Sequence, residues 1–456
     1  MSREFDAIIV GAGQAGPPLA ARLTKTGMQV ALIERKLVGG TCVNTGCMPT
    51  KAMVASAYAA YLARRAADFG VMTGEVGVDM KMVAARAHAV TIKARTGNET
   101  MLETMQGLTF LRGHARFTGP NTIVVGGEEL TAPQIFLNVG GRAQVPDMPG
   151  VNEVPHLDNT DMVALDSVPE HLVVVGGSYI GLEFAQMFRR FGAKVTVVER
   201  NERLIGREDE DVSNAVRAIL EDEGISVRTG ANCIAFEPHA RGVSVSVDCT
   251  SGEPAVFGSH VLLAVGRRPN TDDLGLETAG ITTDSHGYIA VNDRLQTNVP
   301  GVWALGDCNG KGAFTHTAYN DFEIVAANLL DGEDRRVSQR LPGYALYIDP
   351  PLGRVGITEA AARESGRSVL ISKRPMARVG RAIEKGETKG FMKIVADADT
   401  QRILGAAILG TGGDEAIHGI LDMMYADQPI AALRWAVPIH PTVSELIPTV
   451  LLGLEP

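Results

Sequence analysis

Two cysteines that could do redox chemistry, Cys42 and Cys47, lie in the stretch Gly39–Lys51, GGTCVNTGCMPTK. Such a pair could bind a metal, form a structural disulfide or act as a redox couple. In a regular helix the two positions would differ by a rise of about 7.5 Å, which exceeds the ~6.8 Å Cα limit for an unstrained disulfide. A bridge therefore needs a distorted turn, for which Gly46 supplies the backbone freedom.

The residues that follow the turn predict a helix. Pro49 fits an early helical turn, where its missing N–H matters least. We expect Cys42 to lie at the helix entrance, where the positive end of the helix dipole lowers a thiol pKa and favours the thiolate. A zinc half-site is the alternative, but it would need a second Cys/His cluster, and the sequence shows none. We expect no structural metal.

A second candidate for chemistry is the pair His440 and Glu445, five positions apart in HPTVSE. The carboxylate could orient the imidazole for proton transfer. Taken alone, the stretch is more typical of a surface helix start with an incidental histidine.

Two glycine-rich loops indicate the elements that would supply electrons to these side chains. In the first, a buried strand leads into Gly11, Gly13 and Gly16, and the next predicted strand ends at Glu34. Glycines let the backbone approach a pyrophosphate at a helix N-terminus, and the distal acid binds ribose hydroxyls. This unit predicts a dinucleotide site.

The same pattern returns at Gly176, Ser178 and Gly181, followed by Glu199. The interval from first glycine to acid is 23 in both units, from 11 to 34 and from 176 to 199. The chain therefore contains an internal repeat and two predicted nucleotide sites. Ser178 replaces the middle glycine, so a phosphate would approach the second loop slightly less closely.

The acid of the second unit bears on the choice of coenzyme. Glu199 suits the free 2′-hydroxyl of NADH and would repel a 2′-phosphate. Arg200 and Arg203 leave NADPH open as the alternative. We expect NADH.

Two further segments, Ile135–Arg142 and Val261–Pro269, both run from an apolar strand into Gly/Arg turns. They predict crossings between domains. Asp307, at a strand end, is a candidate for the ribityl hydroxyls of a flavin. From about residue 338 the glycine pattern is absent, which predicts a separate domain.

Composition excludes several classes of function. The chain has only 5 cysteines in 456 residues, so we do not expect a secreted protein held together by disulfides. We expect a catalytic cysteine pair in a reducing compartment. The formal charge of -10 argues against a nucleic-acid partner. The N-terminus does not resemble a signal peptide, and no apolar run approaches the ~18 residues of a membrane span. We expect a cytoplasmic protein.

The remaining cysteines are expected to be structural. Cys308 should pack beside the flavin site, and Cys233 and Cys249 should face strand packing. His316 follows the Asp307 motif and could line a flavin pocket, although a hydrogen-bonded structural histidine is favoured.

Together, GxGxxG with its Glu, GGTCVNTGCMPTK, GGSYIG with its Glu, VGRRPN, WALGD and HPTVSE resemble the pyridine nucleotide-disulfide oxidoreductases of the glutathione reductase, lipoamide dehydrogenase and mercuric reductase type. The resemblance covers nearly the whole chain. It implies an α/β fold with two Rossmann-like domains, for FAD and NAD(P)H, and a C-terminal α+β dimerisation domain. The predicted boundaries are 1–148 and 269–337 for the FAD domain, 149–268 for the NAD(P)H domain and 338–456 for the interface domain.

The family also implies roles for the site residues. Cys42 resembles the interchange thiol that meets substrate, Cys47 the thiol beside the flavin, and Lys51 the lysine near flavin N5, paired with Glu183. In a two-fold homodimer, His440 and Glu445 would reach the cysteines of the partner. The residues expected at the cofactors are Gly11, Gly13, Gly16, Glu34, Arg35, Gly40, Thr41, Lys51, Gly140 and Asp307 for FAD, and Gly176, Gly181, Glu183, Glu199 and Gly266 for NAD(P)H.

The electron acceptor is expected to be a thiol-reactive small molecule or metal ion. The stretches Asp349–Glu359 and Arg363–Gly366 resemble a reactive-chlorine-resistance flavoenzyme associated with copper(II) reduction. Soft thiolates suit Hg(II) and Cu(I/II), so Cys42 and Cys47 are candidate transient ligands of a substrate metal. We expect a metal-ion or oxidative-stress reductase.

Three alternatives stay open at this point. One is a small-disulfide reductase such as dihydrolipoamide dehydrogenase. Another is an NADH oxidase, which would not need Cys42. The third is a catalytically dead flavin-binding protein, since nucleotide loops alone do not prove turnover.

Overall fold

The computed structural model describes residues 2–248 and 253–455. It contains two parallel sheets, each with a glycine-rich loop, and an antiparallel sheet near the C-terminus. This architecture confirms the predicted α/β fold class with two Rossmann-like units and a C-terminal α+β unit. Within these ranges no helix is both long and apolar enough to cross a bilayer.

The elements before residue 149 build the first parallel sheet and a smaller side sheet. The strands are β1 Arg3–Glu4, β2 Ala7–Val10, β3 Val30–Glu34, β4 Leu108–Arg112, β5 Arg116–Gly119, β6 Thr122–Val125, β7 Glu128–Thr131, β8 Gln134–Leu137 and β9 Gly141–Ala143. The helices are α1 Gly16–Lys25, α2 Gly40–Asn44, α3 Cys47–Arg64 and α4 Met80–Thr104. Strands β8, β2, β3 and β4 lie side by side in parallel, and β1, β7, β6 and β5 form the side sheet.

The central strand β2 is buried on both faces, as its continuous apolar run predicts. Ala7 and Ile9 pack in the core that includes Leu19 of α1, whereas Ile8 and Val10 pack in the core that includes residues of the side sheet. This burial fixes the strand whose end carries the first glycine loop.

The second glycine unit has the same layout. Its strands are β10 His171–Val175, β11 Lys194–Val198, β12 Ser226–Arg228, β13 Ala235–His239, β14 Gly242–Ser246, β15 Ala255–Gly258, β16 His260–Leu263 and β17 Arg267–Pro269. Its helices are α5 Asn159–Ala164, α6 Tyr179–Phe191 and α7 Glu210–Asp222. Strands β12, β11, β10 and β16 form the parallel sheet, and β13, β14 and β15 an antiparallel one.

The first glycine of each unit meets the same steric constraint. Gly11 has a φ of 105° and Gly176 a φ of 114°, a region that side chains rarely adopt. A Cβ at Gly11 would lie 2.2 Å from the carbonyl oxygen of Asn138, and one at Gly176 would lie 2.3 Å from that of Ala264. Only glycine lets these two loops lie against the neighbouring strand end.

The difference at the middle position of the loops has a structural cause. A Cβ at Gly13 would come 2.8 Å from Oδ1 of Asn138. The equivalent strand end in the second unit carries Ala264, whose methyl side chain has no such amide. The second loop therefore has room for Ser178.

The chain then returns to the first sheet. Strand β17 pairs with β9 in an antiparallel ribbon, with Arg267 opposite Ala143 and Pro269 opposite Gly141. After it come β18 Val302–Ala304, which pairs in parallel with β8, and helix α8 Thr315–Leu330. The return brings a late segment of the chain beside the first glycine loop.

The last part forms a five-stranded sheet with helices. The strands are β19 Gly343–Leu346, β20 Leu352–Gly356, β21 Val369–Pro375, β22 Phe391–Asp397 and β23 Ile403–Leu409. The helices are α9 Glu359–Glu364, α10 Gly380–Glu384, α11 Gly413–Ala416, α12 His418–Tyr425, α13 Ile430–Arg434 and α14 Ile447–Leu452. Short 3₁₀ helices cover Ala66–Phe69, Val151–Glu153, Gly306–Asn309, Val337–Gln339, Met376–Arg378 and Ser444–Leu446.

One predicted strand of this unit is displaced. The apolar run from Leu346 to Ile348 predicts a strand in this part of the chain, but the strand that forms, β19, ends at Leu346. The backbone N–H of Tyr347 donates to Oε1 of Glu183 at 3.0 Å, and that of Asp349 donates to the Gln186 side chain at 2.7 Å. Because α6 side chains take these donors, the strand cannot continue.

The non-catalytic cysteines differ from one another. Cys308 is fully buried, as predicted, and burial raises its pKa to about 12. The prediction for Cys233 is wrong, because it is exposed and precedes β13, while Ile234 takes the buried position. Cys249 lies outside the described residues.

Candidate active site

The two candidate redox cysteines lie on different helices. Cys42 is inside the short helix α2, and Cys47 is the first residue of α3, with Thr45 and Gly46 between the helices. The prediction that Cys42 lies at the helix entrance is therefore wrong. The chain breaks at Gly46, where φ is -128° and ψ is -120°, so the later cysteine takes the position at the positive helix end.

The electrostatics of the two thiols differ accordingly. The pKa of Cys47 is lowered to about 6, first because the Cys42 thiol donates a hydrogen bond to its thiolate, and also through Thr315 and the charge of Lys51. The pKa of Cys42 is raised because it keeps the shared proton and because burial disfavours its thiolate. The pair can therefore hold one thiol and one thiolate at neutral pH.

One turn after Cys47, Lys51 forms a partly buried ion pair. Its Nζ donates to Oε2 of Glu183 on α6 at 2.7 Å, and the side chain of Glu183 is 6% exposed. Nζ also lies 4.5 Å from the ring centroid of Tyr347, a favourable cation–π position. The predicted partners Lys51 and Glu183 are thus in contact, although they are 132 positions apart.

The first glycine loop is arranged to receive a dinucleotide. Glu34 accepts hydrogen bonds from Ala12 N–H at 2.8 Å and Lys36 N–H at 2.7 Å, so its carboxylate lies beside the loop at the start of α1. A Cβ at Gly40 would lie 3.1 Å from the Cα of Gly13, which brings the cysteine segment against the glycine loop. Bare backbone at a helix N-terminus suits a pyrophosphate, so these residues fit FAD.

A cluster of side chains joins this loop to the two chain crossings. Arg267 donates to the Gly141 carbonyl and, at 3.4 Å, to the hydroxyl of Thr41, and its Nε is 3.8 Å from Oδ2 of Asp307. Burial raises the pKa of Asp307, and the charge of Arg267 opposes that shift. Gly140 precedes this ribbon with a φ of 65°. These residues lie together on the cysteine side of the first loop.

A cavity of about 480 Å³ lies next to Glu34, lined by Arg35, Lys36, His114, Arg142, Asp272 and Asp273. Arg35 forms an ion pair of 2.8 Å with Asp273. Two of its lining residues, Arg35 and Lys36, directly follow Glu34, the acid that ends β3.

The second glycine loop repeats the contact of the first acid. Glu199 accepts from Gly177 N–H at 2.6 Å and from Asn201 N–H at 2.7 Å, and it is 8% exposed. Gly181 begins the packed part of α6, and Gly266, with a φ of 131°, ends the crossing beside Gln144. These residues can hold a second nucleotide.

Family models match almost the whole chain. The model described as pyridine nucleotide-disulphide oxidoreductase matches residues 5–321, and the dimerisation domain of the same family matches residues 343–451. The chain belongs to the pyridine nucleotide-disulphide oxidoreductase family. The family implies FAD and a nicotinamide nucleotide as cofactors, and its dimerisation domain indicates a homodimer.

Curated members of this oxidoreductase family show the same breadth of similarity. The chain is 35% identical to the probable pyridine nucleotide-disulfide oxidoreductase RclA of Escherichia coli, over 97% of each chain. It is 33% identical to a mercuric reductase of Staphylococcus aureus, covering 91% of this chain and 76% of the relative. It is 34% identical to a dihydrolipoyl dehydrogenase of Thermus scotoductus, covering 97% and 96%.

Solved structures of the family have the same fold as this chain. The Cu(II) complex of the HOCl-induced flavoprotein disulfide reductase RclA from Escherichia coli matches with a TM-score of 0.90 and 34% identity, over 99% of both chains. A second structure of the HOCl-induced flavoprotein disulfide reductase RclA matches with a TM-score of 0.89 and 34% identity. The fold and the enzyme class are therefore those of a flavoprotein disulfide reductase.

His440 and Glu445 of this oxidoreductase are in contact with each other but not with the cysteines of their own chain. His440 Nδ1 is 2.9 Å from Oε2 of Glu445, and the His440 side chain is 80% exposed. Within the described ranges no hydrogen bond joins His440 to either cysteine of its own chain. The same part of the structure shows no cluster of three or more His, Cys, Asp or Glu side chains able to hold a metal ion.

Sequence reasoning missed three residues that organise the site. Asn138 accepts from Gly16 N–H at 3.1 Å and donates to the Leu305 carbonyl at 3.0 Å, which ties the first glycine loop to the returning chain. Tyr347 contacts Lys51 and Glu183, and Thr315 contacts Cys47. Only Asn138 carried a sequence signal, as a polar residue that ends a buried strand.

His316, in contrast, behaves as a structural histidine. Its Nε2 is 2.7 Å from the Gly343 carbonyl, and its ring stacks on Phe314 with centroids 5.4 Å apart. This contact ties α8 to β19.

Replacing Gly176 with alanine should impair the use of the nicotinamide nucleotide while leaving FAD bound. The added Cβ would meet the Ala264 carbonyl at 2.3 Å, and φ at this position is 114°. The clash would push the glycine loop away from the start of α6, so we expect KM for the nicotinamide nucleotide to rise at least about tenfold, the equivalent of about 1.4 kcal/mol of binding. Steady-state kinetics and the ratio of FAD to protein absorbance measure the two effects.

Gly192→Ala is the matched control for this variant. Gly192 ends α6 with a φ of 120°, but a Cβ there would meet nothing within 4 Å. It therefore carries the same backbone strain without the clash at the loop. Equal KM values for Gly176→Ala and Gly192→Ala would contradict the assignment of this loop to the nicotinamide nucleotide.

Proposed function

We propose that this flavoprotein uses NADH to reduce a thiol-reactive acceptor, a metal ion such as Cu(II) or Hg(II) or a related oxidative-stress substrate, through Cys42 and Cys47. The observation that carries the proposal is the thiol pair itself. The two cysteines face each other across the break between α2 and α3, and their interaction lowers the pKa of Cys47 to about 6 while that of Cys42 is raised. Such a pair can be stored as a disulfide and released as one thiol and one thiolate.

The residues around the pair would divide the work. FAD, when bound, supplies the transfer of two electrons from the nicotinamide to the disulfide. Taking up two electrons and one proton, the disulfide becomes the Cys42 thiol and the Cys47 thiolate. The positive charge of Lys51, held by Glu183 at 2.7 Å, would favour the negative charge that appears at this end of α3.

FAD would be held by the first unit. The bare glycine loop at Gly11, Gly13 and Gly16, the carboxylate of Glu34 and the cavity beside Arg35 support the adenosine and pyrophosphate end. Gly40, Thr41, Gly140 and Asp307 lie on the cysteine side and support the ribityl end.

NADH would bind the second unit through Gly176, Gly181 and Glu199. The carboxylate of Glu199 already lies against the loop, 2.6 Å from Gly177 N–H. A 2′-phosphate there would place further negative charge beside a carboxylate, which supports NADH over NADPH.

A second copy of the chain would complete the site. His440 is exposed and its partner Glu445 is largely buried beneath it, in a part of the chain that also exposes large apolar side chains. These are Tyr425, Trp435, Val437, Ile439 and Leu452, between 56% and 96% exposed. Apolar surface of this extent marks a contact with another protein, and a two-fold dimer would place each His440 at the cysteines of the partner.

Metal ions are supported as acceptors by thiol chemistry and by relatives. Thiolates are soft ligands that favour Cu(I) and other soft metals, and the relatives include mercuric reductases and RclA, for which a Cu(II) complex is solved. Small disulfides are less favoured acceptors. A cytoplasmic location is proposed because a reducing compartment suits a transient, catalytic disulfide.

Anaerobic reduction followed by reoxidation tests the proposal. The holoenzyme is reduced with NADH or NADPH, new thiols are counted, and Cu(II), Hg(II), lipoamide and oxidised glutathione are added in turn. We expect faster reduction by NADH, two new thiols per chain, and fast reoxidation by a metal ion. Fast reoxidation by the disulfides with none by the metals would overturn the metal part of the proposal.

The exposed cysteine needs a control in this experiment. Cys233 is accessible and is not part of the site, so it could bind Hg(II) or Cu(II) without turnover. The measurement is therefore repeated with Cys233→Ser, which should behave as the parent does.

A further inference from the structure

Helix α8 brings a hydroxyl to the redox cysteines from a part of the chain far away in sequence. Oγ1 of Thr315, the first residue of α8, lies 3.4 Å from Sγ of Cys47. The same hydroxyl also favours the thiolate of Cys42, although there the Cys47 sulfur and burial outweigh it. Thr315 reaches this place because the chain returns to the first sheet through β18.

The start of α8 is held firmly, so this contact is built into the fold. The Phe314 N–H donates to the Thr317 hydroxyl at 3.1 Å, and that hydroxyl donates to the Phe314 carbonyl at 2.8 Å. The Phe314 ring stacks on Tyr344 with centroids 5.7 Å apart. The helix start is thus capped by Phe314 and Thr317. The hydroxyl of Thr315 is not needed for the cap and can hydrogen-bond to the Cys47 sulfur.

The chemistry of the contact depends on the charge of the sulfur. A thiolate has no proton to donate and can only accept, so the Thr315 hydroxyl must be the donor to it. Hydrogen bonds to a charged acceptor are roughly twice as strong as neutral ones. Thr315 and the Cys42 thiol both favour the Cys47 thiolate, whereas burial and the carboxylate of Glu183 oppose it.

We propose that Thr315 is a catalytic residue that donates its hydroxyl hydrogen to the Cys47 thiolate and keeps that sulfur charged while Cys42 is engaged by the acceptor. The inference rests on the proposed function, in which Cys42 meets the acceptor and Cys47 stays behind. When Cys42 turns to the acceptor, Cys47 loses its thiol donor. Thr315 is then the neutral donor that remains.

The test is a pH titration of the thiolate in the chemically reduced holoenzyme. Parent, Thr315→Val and Thr315→Ser are reduced with dithiothreitol, and the ultraviolet thiolate absorbance of Cys47 is obtained by difference from Cys47→Ser. The parent should titrate with a midpoint near pH 6. In Thr315→Val the thiolate fraction below that midpoint should fall about tenfold, and Thr315→Ser should restore it.

Two further variants sharpen the result. Thr317→Val disturbs the same helix start without removing a contact to sulfur, and its midpoint should match the parent. In a Cys42→Ala background, which removes the thiol donor, the loss caused by Thr315→Val should be larger. If Thr315→Val does not retain FAD, Thr315→Ala provides the same readout with less bulk beside the sulfur.

The inference is overturned if Thr315→Val or Thr315→Ala titrates as the parent does, or if Thr317→Val produces the same change. Dithiothreitol reduces the pair without NADH and without an acceptor, so this result is independent of turnover. A parent enzyme that showed the expected titration but was not reoxidised by any acceptor would refute the proposed function and leave the Thr315 contact standing.

Discussion

NADH-dependent reduction of the metal acceptor should fall by about a thousandfold or more when Cys42 is replaced by serine, the scale lost when a reacting nucleophile is removed. Cys42 is the half-buried member of the pair and keeps the shared proton. Serine retains the shape but cannot form a disulfide with Cys47 or a soft ligand for a metal. Stopped-flow reoxidation and steady-state turnover with Cu(II) or Hg(II) measure the loss.

Two controls show whether the loss is specific to the Cys42–Cys47 pair. Cys233→Ser removes an exposed thiol away from the site and should leave turnover unchanged. Electron transfer from NADH to oxygen through the flavin should survive Cys42→Ser, because it does not need the disulfide. A Cys42→Ser enzyme that still reduced the metal at the parent rate would show that electrons leave by another route, as in an NADH oxidase.

The second large effect should be on stability, at Arg190 of α6. Its guanidinium donates to Glu223 at 2.7 and 2.9 Å and to Asp349 at 2.7 Å, stacks over the Tyr61 ring at 3.9 Å, and is 5% exposed. Arg190→Leu would leave the carboxylates of Glu223 and Asp349 buried without a cation. We expect the free energy of unfolding to fall by about 3–5 kcal/mol, as measured by denaturant unfolding.

Arg217→Leu is the matched comparison on the next helix, α7. Arg217 pairs with Glu221 at 2.9 Å, but both side chains are 41% exposed, so its loss should cost about 0.5 kcal/mol or less. Removing the stranded charges in an Arg190→Leu, Glu223→Leu, Asp349→Leu variant should recover part of the stability. Equal losses of unfolding free energy for Arg190→Leu and Arg217→Leu would show that the burial of the Arg190 ion pairs does not determine their contribution to stability.

The glycine units could be predicted because every part of their signal is local. A buried strand, a glycine loop and a helix follow one another in sequence, and Glu34 ends β3 while Glu199 directly follows β11. The steric reason for the first glycine of each unit lies farther along the chain, at the carbonyls of Asn138 and Ala264. Local pattern and packing therefore predict the same structure.

The cysteine site was only partly accessible to the same reasoning. The pair itself and the contact of Lys51 with Glu183 were predicted, the latter from family resemblance. The predicted helix boundary is wrong, because the short helix α2 and the long helix α3 meet at Gly46 and pattern alone predicts a single helix. Thr315 could not have been found, since it reaches Cys47 only through the return of the chain 268 positions later.

The ribbon of β9 and β17 has a consequence for how such an enzyme can change. Ala143 and Arg267 lie directly opposite each other, so the coenzyme module between them leaves and rejoins the rest of the protein at one point. A unit with both ends at one point can be exchanged for another without stretching its host. Coenzyme preference could thus be replaced as a cassette, in evolution or in the laboratory, provided that the new module keeps Glu183 for Lys51 and Arg190 for Asp349.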